Sequence, residues 1–169
     1  ESIMKGITIA GVVVAGLLGG CAASPELIEC LQPDRRVVIE VNGTRTTPAP
    51  APKPGEPAGK PTVAAVELSS MAQGNGAFDY KASVLKAGGK EDIDDFWKSD
   101  VIGKIPVAIS AIIITGHSDR EEGDSTDLSE ARAKAVRDYL VSKNVDQKLM
   151  FWEGRGSRQP VPVTKFCSS

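Results

Sequence analysis

A single histidine, few aromatic residues and a nearly neutral charge limit what this chain can do. Aromatic residues make up 5% of the sequence, too few for the stacking platform with which proteins hold single-stranded nucleic acid. The net charge of −2 provides no basic surface for nucleic acid either. Since His117 is the only histidine, metal sites and Ser–His or Cys–His catalysis lack the residues they need. We therefore expect a protein that is not an enzyme and that carries no cofactor and no metal.

The chain also lacks an apolar run long enough to be an evident membrane span. The stretch Gly6–Gly20 offers roughly 15 apolar positions, fewer than the about 20 that cross a bilayer. It follows Met4-Lys5 and ends in Leu18-Gly19-Gly20-Cys21, an arrangement that resembles a bacterial secretion signal with a lipobox. We therefore predict that residues 1–23 are signal-like and that Cys21 carries a lipid that attaches the protein to a membrane. A retained hydrophobic anchor or a buried helix is the alternative.

The sequence contains only three cysteines. If Cys21 carries lipid, Cys30 and Cys167 remain, and they can form one disulfide in an oxidising compartment. The spacing alone leaves two unpaired thiols as the alternative.

Beyond residue 23 the hydrophobic pattern alternates between strands and helices. It predicts strands at Val37–Val41, Thr62–Ser70, Val107–Thr115 and Lys148–Glu153, and helices at Ser83–Trp97 and Leu128–Lys143. Asn42-Gly43 predicts a turn that ends the first strand, and residues 45–61 have the proline and alanine content of an extended linker. This order of elements predicts an α/β domain (an α+β sandwich) with a mixed or parallel sheet and helices on one face.

We expect the functional site in residues 116–133, where a strand leads through a polar loop into a helix. Asp127 is the predicted N-cap of that helix, and Glu130 would complete a capping box. Asp119 in the loop and Arg132 on the helix place an acid and a base beside the free N–H groups of the helix start. This combination suits a zwitterion, whereas the alternative is that Asp119 and Arg132 pair with each other and only stabilise the loop.

The remaining polar residues of this loop have simpler interpretations. Glu121, Glu122 and Asp124 are three acids in one loop, which could indicate carboxylate catalysis. Because the loop is polar throughout, a solvated surface is the preferred interpretation. His117 is expected to pack or to form a hydrogen bond beside the end of the strand.

Five short motifs stand out along the chain. They are Pro33-Asp34-Arg35-Arg36-Val37, Phe78-Asp79-Tyr80, Gly116-His117-Ser118-Asp119, Leu128-Ser129-Glu130-Ala131-Arg132-Ala133, and Gly154-Arg155-Gly156 with Gln159-Pro160-Val161. Their combination resembles the OmpA-like peptidoglycan-binding domain. The resemblance implies a βαβαββ arrangement, with a mixed sheet and helices packed on one face. It also implies that the protein binds the peptide stem of peptidoglycan, typically its diaminopimelate residue, without covalent chemistry.

The same resemblance implies the ligand contacts. Asp119 would pair with the ammonium group of the ligand and Arg132 with a carboxylate. Arg35 matches the first arginine of the family's RRV motif and is the third expected contact. Ser118 and Asp79 belong to the matched motifs and complete the expected set.

The order of the motifs differs from that of the family, in which the strand containing Arg35 comes last. The chain therefore resembles a circularly permuted member whose last strand comes first. Residues 24–44 would hold that strand, 45–61 the linker that joins the old termini, and 62–169 the remainder of the domain. The resemblance also implies a disulfide between Cys30 and Cys167, where outer-membrane members carry one.

The function that the resemblance implies is to tether an envelope component to the cell wall, in the periplasm or at the outer membrane of a Gram-negative bacterium. A domain that keeps the fold but has lost the ligand is the alternative. It is favoured by a loop between Asp119 and Arg132 that is shorter than the family's and lacks its asparagine, and by Lys81, which stands where the family has an acid. No nucleic acid is an expected partner, and a homodimer is compatible with the sequence.

Overall fold

One four-stranded sheet organises the molecule. The computed structural model describes residues 24–51, 59–103, 105–123 and 125–162. The strands are β1 (Arg36–Thr47), β2 (Thr62–Gln73), β3 (Ala108–Gly116) and β4 (Met150–Gly154), in the order β2-β1-β3-β4 across the sheet. β1 is antiparallel to both β2 and β3, whereas β3 and β4 are parallel. The predicted mixed sheet is confirmed.

Two longer helices cover this sheet. The helices are α1 (Pro25–Cys30), α2 (Gly74–Ala77), α3 (Ala87–Phe96) and α4 (Thr126–Ser142), and 3₁₀ turns lie at Gln32–Asp34, Arg120–Glu122 and Gln147–Leu149. α3 continues into a π-helical turn at Trp97–Ile102. The helix predicted from Ser83 therefore begins four residues later, at Ala87, and the helix predicted from Leu128 corresponds to α4.

The core lies between one face of the sheet and the helices α3 and α4. Because strand side chains alternate between faces, alternate residues in the first half of β1 and the second half of β3 are buried there. The buried cluster includes Val37, Ile39 and Val41 of β1, Ile112 and Ile114 of β3, Ile93 and Phe96 of α3, and Val136 and Leu140 of α4. On the other face of the sheet, Met71 and Phe151 are exposed. The two longer helices thus pack on one face, as the sequence predicted.

The predicted turn at Asn42-Gly43 is wrong, because β1 continues through it to Thr47. The register of β1 against β3 shifts between these two residues, which is the mark of a β-bulge. A Cβ at Gly43 would lie 2.4 Å from the carbonyl oxygen of Ala108, so the glycine permits a close approach of two strands. Beyond the bulge β1 pairs with β2 as far as Thr47, opposite Thr62. The predicted start of the linker at residue 45 therefore lies inside a strand.

Several predictions fall outside the described residues. These are the signal-like segment 1–23 with Cys21, and Cys167; the centre of the predicted linker, residues 52–58, is likewise not described. Cys30 is disulfide-bonded, and its pairing with Cys167 stays a prediction. No helix within the described ranges is both long enough and apolar enough to cross a membrane. The circular permutation also stays a prediction.

Candidate functional site

The residues that follow β3 are buried rather than exposed. His117, Ser118 and Asp119 retain 3%, 2% and 0% of their exposure. Val37 is the partner of Gly116 in the antiparallel pair of β1 and β3, and the N–H of His117 donates to the carbonyl of Arg36 at 2.9 Å. The start of β1 and the end of β3 therefore meet at one point.

Two glycines allow helix α4 to approach this point closely. A Cβ at Gly116 would lie 1.8 Å from the carbonyl oxygen of Ser129, and a Cβ at Gly154 would lie 2.4 Å from the N–H nitrogen of Glu130. Real Cβ atoms do not approach backbone atoms so closely, so the first turns of α4 can lie against the ends of β3 and β4 only because these residues lack a side chain. Arg132, three residues after Ser129, thereby reaches the loop that follows β3.

Arg35 and Asp119 form an ion pair at the centre of the site. Nη1 of Arg35 lies 2.8 Å from Oδ2 of Asp119, and both side chains are fully buried. The same Nη1 donates to the carbonyl of Ile28 at 2.9 Å. Oδ1 of Asp119 accepts from the N–H groups of Glu121 and Glu122 at 2.8 and 2.9 Å, so this carboxylate also caps the 3₁₀ turn that follows it.

Arg132 uses all five of its N–H donors. Three go to backbone carbonyls: Nε to Ala82 at 2.9 Å, Nη1 to His117 at 3.2 Å and Nη2 to Asp79 at 3.2 Å. The other two go to the carboxylate of Glu122, at 2.7 Å from Nη1 and 2.6 Å from Nη2. This is the bidentate geometry that makes arginine–carboxylate pairs strong.

Glu122 is a central residue of the site that the sequence interpretation placed on a solvated surface. That interpretation is wrong for Glu122, because its side chain is fully buried against Arg132. Its carboxylate also accepts from the backbone N–H of Asp119 at 3.0 Å and from that of Lys81 at 2.7 Å. Asp119 and Glu122 together form a capping box, and the Asp-x-x-Glu spacing is the sequence signal that could have identified it.

The pKa values of the two buried carboxyl groups are shifted in opposite directions. Burial raises the pKa of Asp119, although the hydrogen bond from Arg35 opposes the shift. Burial also acts to raise the pKa of Glu122, but the hydrogen bonds and charge of Arg132 outweigh it and hold that pKa below its usual value. Glu122 therefore keeps its negative charge to a lower pH than Asp119 does.

Ser118 and His117 lie beside these pairs. The N–H of Ser118 donates to the carbonyl of Gly156 at 3.1 Å, while its hydroxyl finds no hydrogen-bond partner in the part of the chain that the structure describes. The same holds for Nδ1 of His117. Burial, reinforced by the positive charges of Arg36 and Arg155, lowers the pKa of His117 to about 4. The expectation that His117 packs beside the strand end is confirmed.

Asp79 contributes through its backbone. Its carbonyl accepts from Arg132, but its side chain is 64% exposed and forms an ion pair with Lys86 at 2.6 Å. The structure therefore brings together Arg35, Ser118, Asp119 and Arg132 as the sequence predicted, and leaves the Asp79 carboxylate at the surface.

The alternative pairing of Asp119 with Arg132 is wrong. Each has a different partner, since Arg35 binds Asp119 and Glu122 binds Arg132. Glu122 joins the two pairs, because Oε2 accepts from both Arg132 and the Asp119 N–H.

A neighbouring cluster explains two further motifs. Arg36 donates from Nη2 to the carbonyl of Gln159 at 2.7 Å, and the N–H of Val161 donates to Oδ1 of Asp34 at 2.6 Å. The segment that precedes β1 and the segment that follows β4 therefore hold each other in place behind the site.

The start of α4 also differs from the prediction. Ser125, not Asp127, is the N-cap, and its hydroxyl accepts from the N–H of Leu128 at 3.0 Å. The capping box predicted for Asp127 and Glu130 is therefore wrong, because the helix begins earlier, at Thr126.

Comparisons with known proteins agree with the motifs. The OmpA family matches residues 77–166. Outer membrane protein A of Bordetella avium is 32% identical over 90 residues, which are 52% of this chain and 44% of that protein. Outer membrane protein A of Shimwellia blattae is 30% identical over 86 residues, which are 50% of this chain and 35% of that protein. The chain thus spans less than half the length of these relatives.

A solved structure is also similar. The OmpA-like domain of FopA1 from Francisella tularensis subsp. tularensis SCHU S4 is 26% identical, with a TM-score of 0.39 over 52% of this chain and 58% of that one.

Proposed function

Since this chain belongs to the OmpA family, we propose that it binds the peptide stem of peptidoglycan non-covalently and thereby tethers an envelope component to the cell wall. The observation that carries the proposal is the convergence of Arg35, Asp119 and Arg132. They come from the segment before β1, the loop after β3 and helix α4, and their side chains are all fully buried around one point. Two guanidinium groups and a carboxylate are the groups that recognise a ligand with both carboxylate and ammonium functions. Diaminopimelate is such a ligand.

A second candidate, a domain that keeps the fold without binding the ligand, is favoured by one observation. Arg132 has no donor to spare, and Asp119 is fully buried against Arg35. Binding therefore requires an exchange of partners, in which ligand groups replace internal ones. A domain that has lost the ligand would keep the internal partners permanently.

Retention on purified Gram-negative sacculi separates the two candidates. Wild-type protein is compared with Asp119→Asn and Arg132→Lys, which keep the size of each side chain approximately. Asp138→Asn, whose carboxylate is 60% exposed on α4, and Arg45→Lys near the distal end of β1 are the matched controls. Circular dichroism checks that every variant is folded. The binding proposal expects retention of wild type and both controls, loss of both site variants, and release of wild type by free meso-diaminopimelate.

Equal retention of all five proteins would contradict a ligand site at Asp119 and Arg132, and no retention of any would favour the second candidate. Turnover of muropeptides, seen by chromatography, would contradict the proposal that the protein binds peptidoglycan without acting on it as an enzyme.

The proposal places the protein in the periplasm or at the outer membrane, with a lipid on Cys21 and a disulfide between Cys30 and Cys167. The disulfide bond of Cys30 supports an oxidising compartment. Mass spectrometry of the protein extracted from membranes tests the lipid, through the intact mass, and the disulfide, through the peptides of a digest. A diacylglyceryl increment on a chain that begins at Cys21, together with a Cys30–Cys167 peptide after digestion without reductant, is the expected result.

A further inference from the structure

We propose that Glu122 occupies the position beside Arg132 at which a carboxylate of the ligand binds, and that an aliphatic carboxylate of the ligand enters only by displacing it. The inference rests on the proposed function for the identity of the natural ligand.

The surroundings of the Glu122 carboxylate are those of a bound anion. Four N–H donors converge on its two oxygens at 2.6–3.0 Å: the Lys81 and Asp119 backbone N–H groups and both Nη atoms of Arg132. A carboxylate offers about four lone-pair positions, so the anion is fully satisfied. These four donors form a cradle contributed by three separate segments of the chain.

The cradle is held in place by contacts that do not involve Glu122. Arg132 is fixed by the carbonyls of Asp79, Ala82 and His117, and its guanidinium lies 5.3 Å from the centre of the Phe78 ring. We therefore expect the guanidinium to stay in position when Glu122 leaves, ready for another carboxylate.

Lys81 adds a backbone feature to the cradle. It adopts a left-handed conformation with φ of 55°, which a non-glycine residue adopts only at a cost. Its N–H points at Glu122 in that conformation. The Lys81 side chain stands where the family has an acid, yet the contact to the anion is made by its backbone.

The segment that carries Glu122 is short and is bordered by a glycine. The 3₁₀ turn Arg120–Glu122 ends at Gly123, whose φ is 84° and around whose missing Cβ no atom lies within 4 Å. Glycine tolerates a wide range of backbone angles, so Gly123 is a suitable pivot at the end of the turn. Rotation at Gly123 is the movement by which we expect Glu122 to leave Arg132.

Departure of Glu122 also affects Asp119, which is the reason that the ligand should be a zwitterion. Oδ1 of Asp119 is held by the N–H groups of Glu121 and Glu122 in the same turn. When the turn moves, that oxygen loses its donors and becomes available to the ammonium group of the ligand. One movement thus frees both Arg132 and Asp119 for the ligand.

Chemical rescue with acetate tests the inference. Glu122→Ala empties the cradle and is compared with wild type and with Glu121→Ala, whose acid lies next in sequence but outside the cradle. Thermal unfolding is measured in sodium acetate and in sodium chloride at equal ionic strength. We expect acetate to raise the Tm of Glu122→Ala by about 4 °C when it is present at about ten times its dissociation constant. No saturable effect is expected on wild type or Glu121→Ala, and the same acetate response in all three proteins would overturn the inference.

A second variant covers the case in which Glu122→Ala fails to fold. Glu122→Gln keeps the shape of the side chain but removes its charge, so it competes less well for Arg132. Its affinity for meso-diaminopimelate, followed by the amide signals of Lys81 and Asp119, is expected to exceed that of wild type by about tenfold or more, as for the loss of one charged hydrogen bond. Equal affinities, or equal absence of binding, would overturn the displacement.

The two experiments also separate this inference from the proposed function. Acetate rescue without any binding of sacculi supports the cradle and contradicts the tether. Wild-type binding of sacculi without acetate rescue, and with no gain of affinity in Glu122→Gln, supports the tether and contradicts the displacement of Glu122.

Discussion

Arg35 and Asp119 lie 84 residues apart in the sequence and form a fully buried ion pair, with 2.8 Å between Nη1 and Oδ2. Asp119 belongs to the range 77–166 that matches the OmpA family, whereas Arg35 lies before it. β1, which begins at Arg36, occupies the interior of the sheet between β2 and β3. Arg35 and β1, upstream of the family match, are therefore part of the same domain as Asp119.

Breaking this pair should be costly. Arg35→Leu leaves the Asp119 carboxylate buried without its cation, and we expect a loss of about 3–5 kcal/mol in the free energy of unfolding, measured by urea denaturation. Lys86→Gln is the matched control, because it breaks an ion pair of similar length, 2.6 Å, whose side chains are 39% and 64% exposed. The control should lose less than about 1 kcal/mol. Similar losses in the two variants would mean that burial does not set the strength of the Arg35–Asp119 contact.

A methyl group at Gly116 should disrupt the docking of α4. In Gly116→Ala the new Cβ meets the carbonyl of Ser129, which is backbone and cannot rotate away. We expect a loss of stability above the about 1–3 kcal/mol typical of overpacking, together with weaker retention on sacculi if Arg132 moves with its helix. Gly76→Ala is the control, since a Cβ there meets nothing within 4 Å. The prediction fails if Gly116→Ala and Gly76→Ala unfold at the same urea concentration.

The sequence predicted the elements of the fold better than their boundaries. The apolar run of β3 and the helical spacing of α4 are strong periodic signals, and both elements are where they were predicted. The Asn42-Gly43 turn signal failed because pairing with β2 extends β1 through it. The pairing of β1 with β2 thus outweighs the local preference of Asn-Gly for a turn.

The sequence indicates three of the four fully buried charged side chains at this point, but neither the fourth, Glu122, nor how the four pair. Arg35, Asp119 and Arg132 were found from their motifs, yet which acid meets which base depends on how the 3₁₀ turn folds. The polar composition of the loop predicts a solvated Glu122, although its spacing from Asp119 is that of a capping box. The composition of a loop predicts the exposure of most of its residues, but it does not identify the single residue, here Glu122, whose side chain is buried.

The N-cap of α4 is Ser125 in the structure and Asp127 in the prediction from the sequence, and two substitutions distinguish them. Ser125→Ala removes the hydroxyl that accepts from the N–H of Leu128, and we expect it to cost about 1 kcal/mol of stability. Asp127→Ala removes an acid from the first turn without removing a cap, so its effect should stay within about 0.3–1 kcal/mol and should shrink in high salt. The salt dependence distinguishes the two, because a neutral hydroxyl cap is not screened. A larger, salt-independent loss for Asp127→Ala would restore the cap predicted from the sequence.

His117 should make the domain less stable in mild acid. Its pKa is lowered to about 4 in the folded protein, from the ordinary 6.5, first by burial and then by Arg36 and Arg155. The unfolded chain therefore binds a proton more readily, so the stabilisation is complete above pH 6.5 and is lost as the pH falls towards 4. Between near neutral pH and about pH 4.5 the loss should be roughly 2–3 kcal/mol, measured by urea denaturation at each pH. His117→Gln cannot take up the proton, and its stability should fall less over the same range. Asp119 and Glu122 titrate in both proteins, so the difference between the two pH profiles isolates His117, and parallel profiles would show that the buried imidazole does not control the acid response.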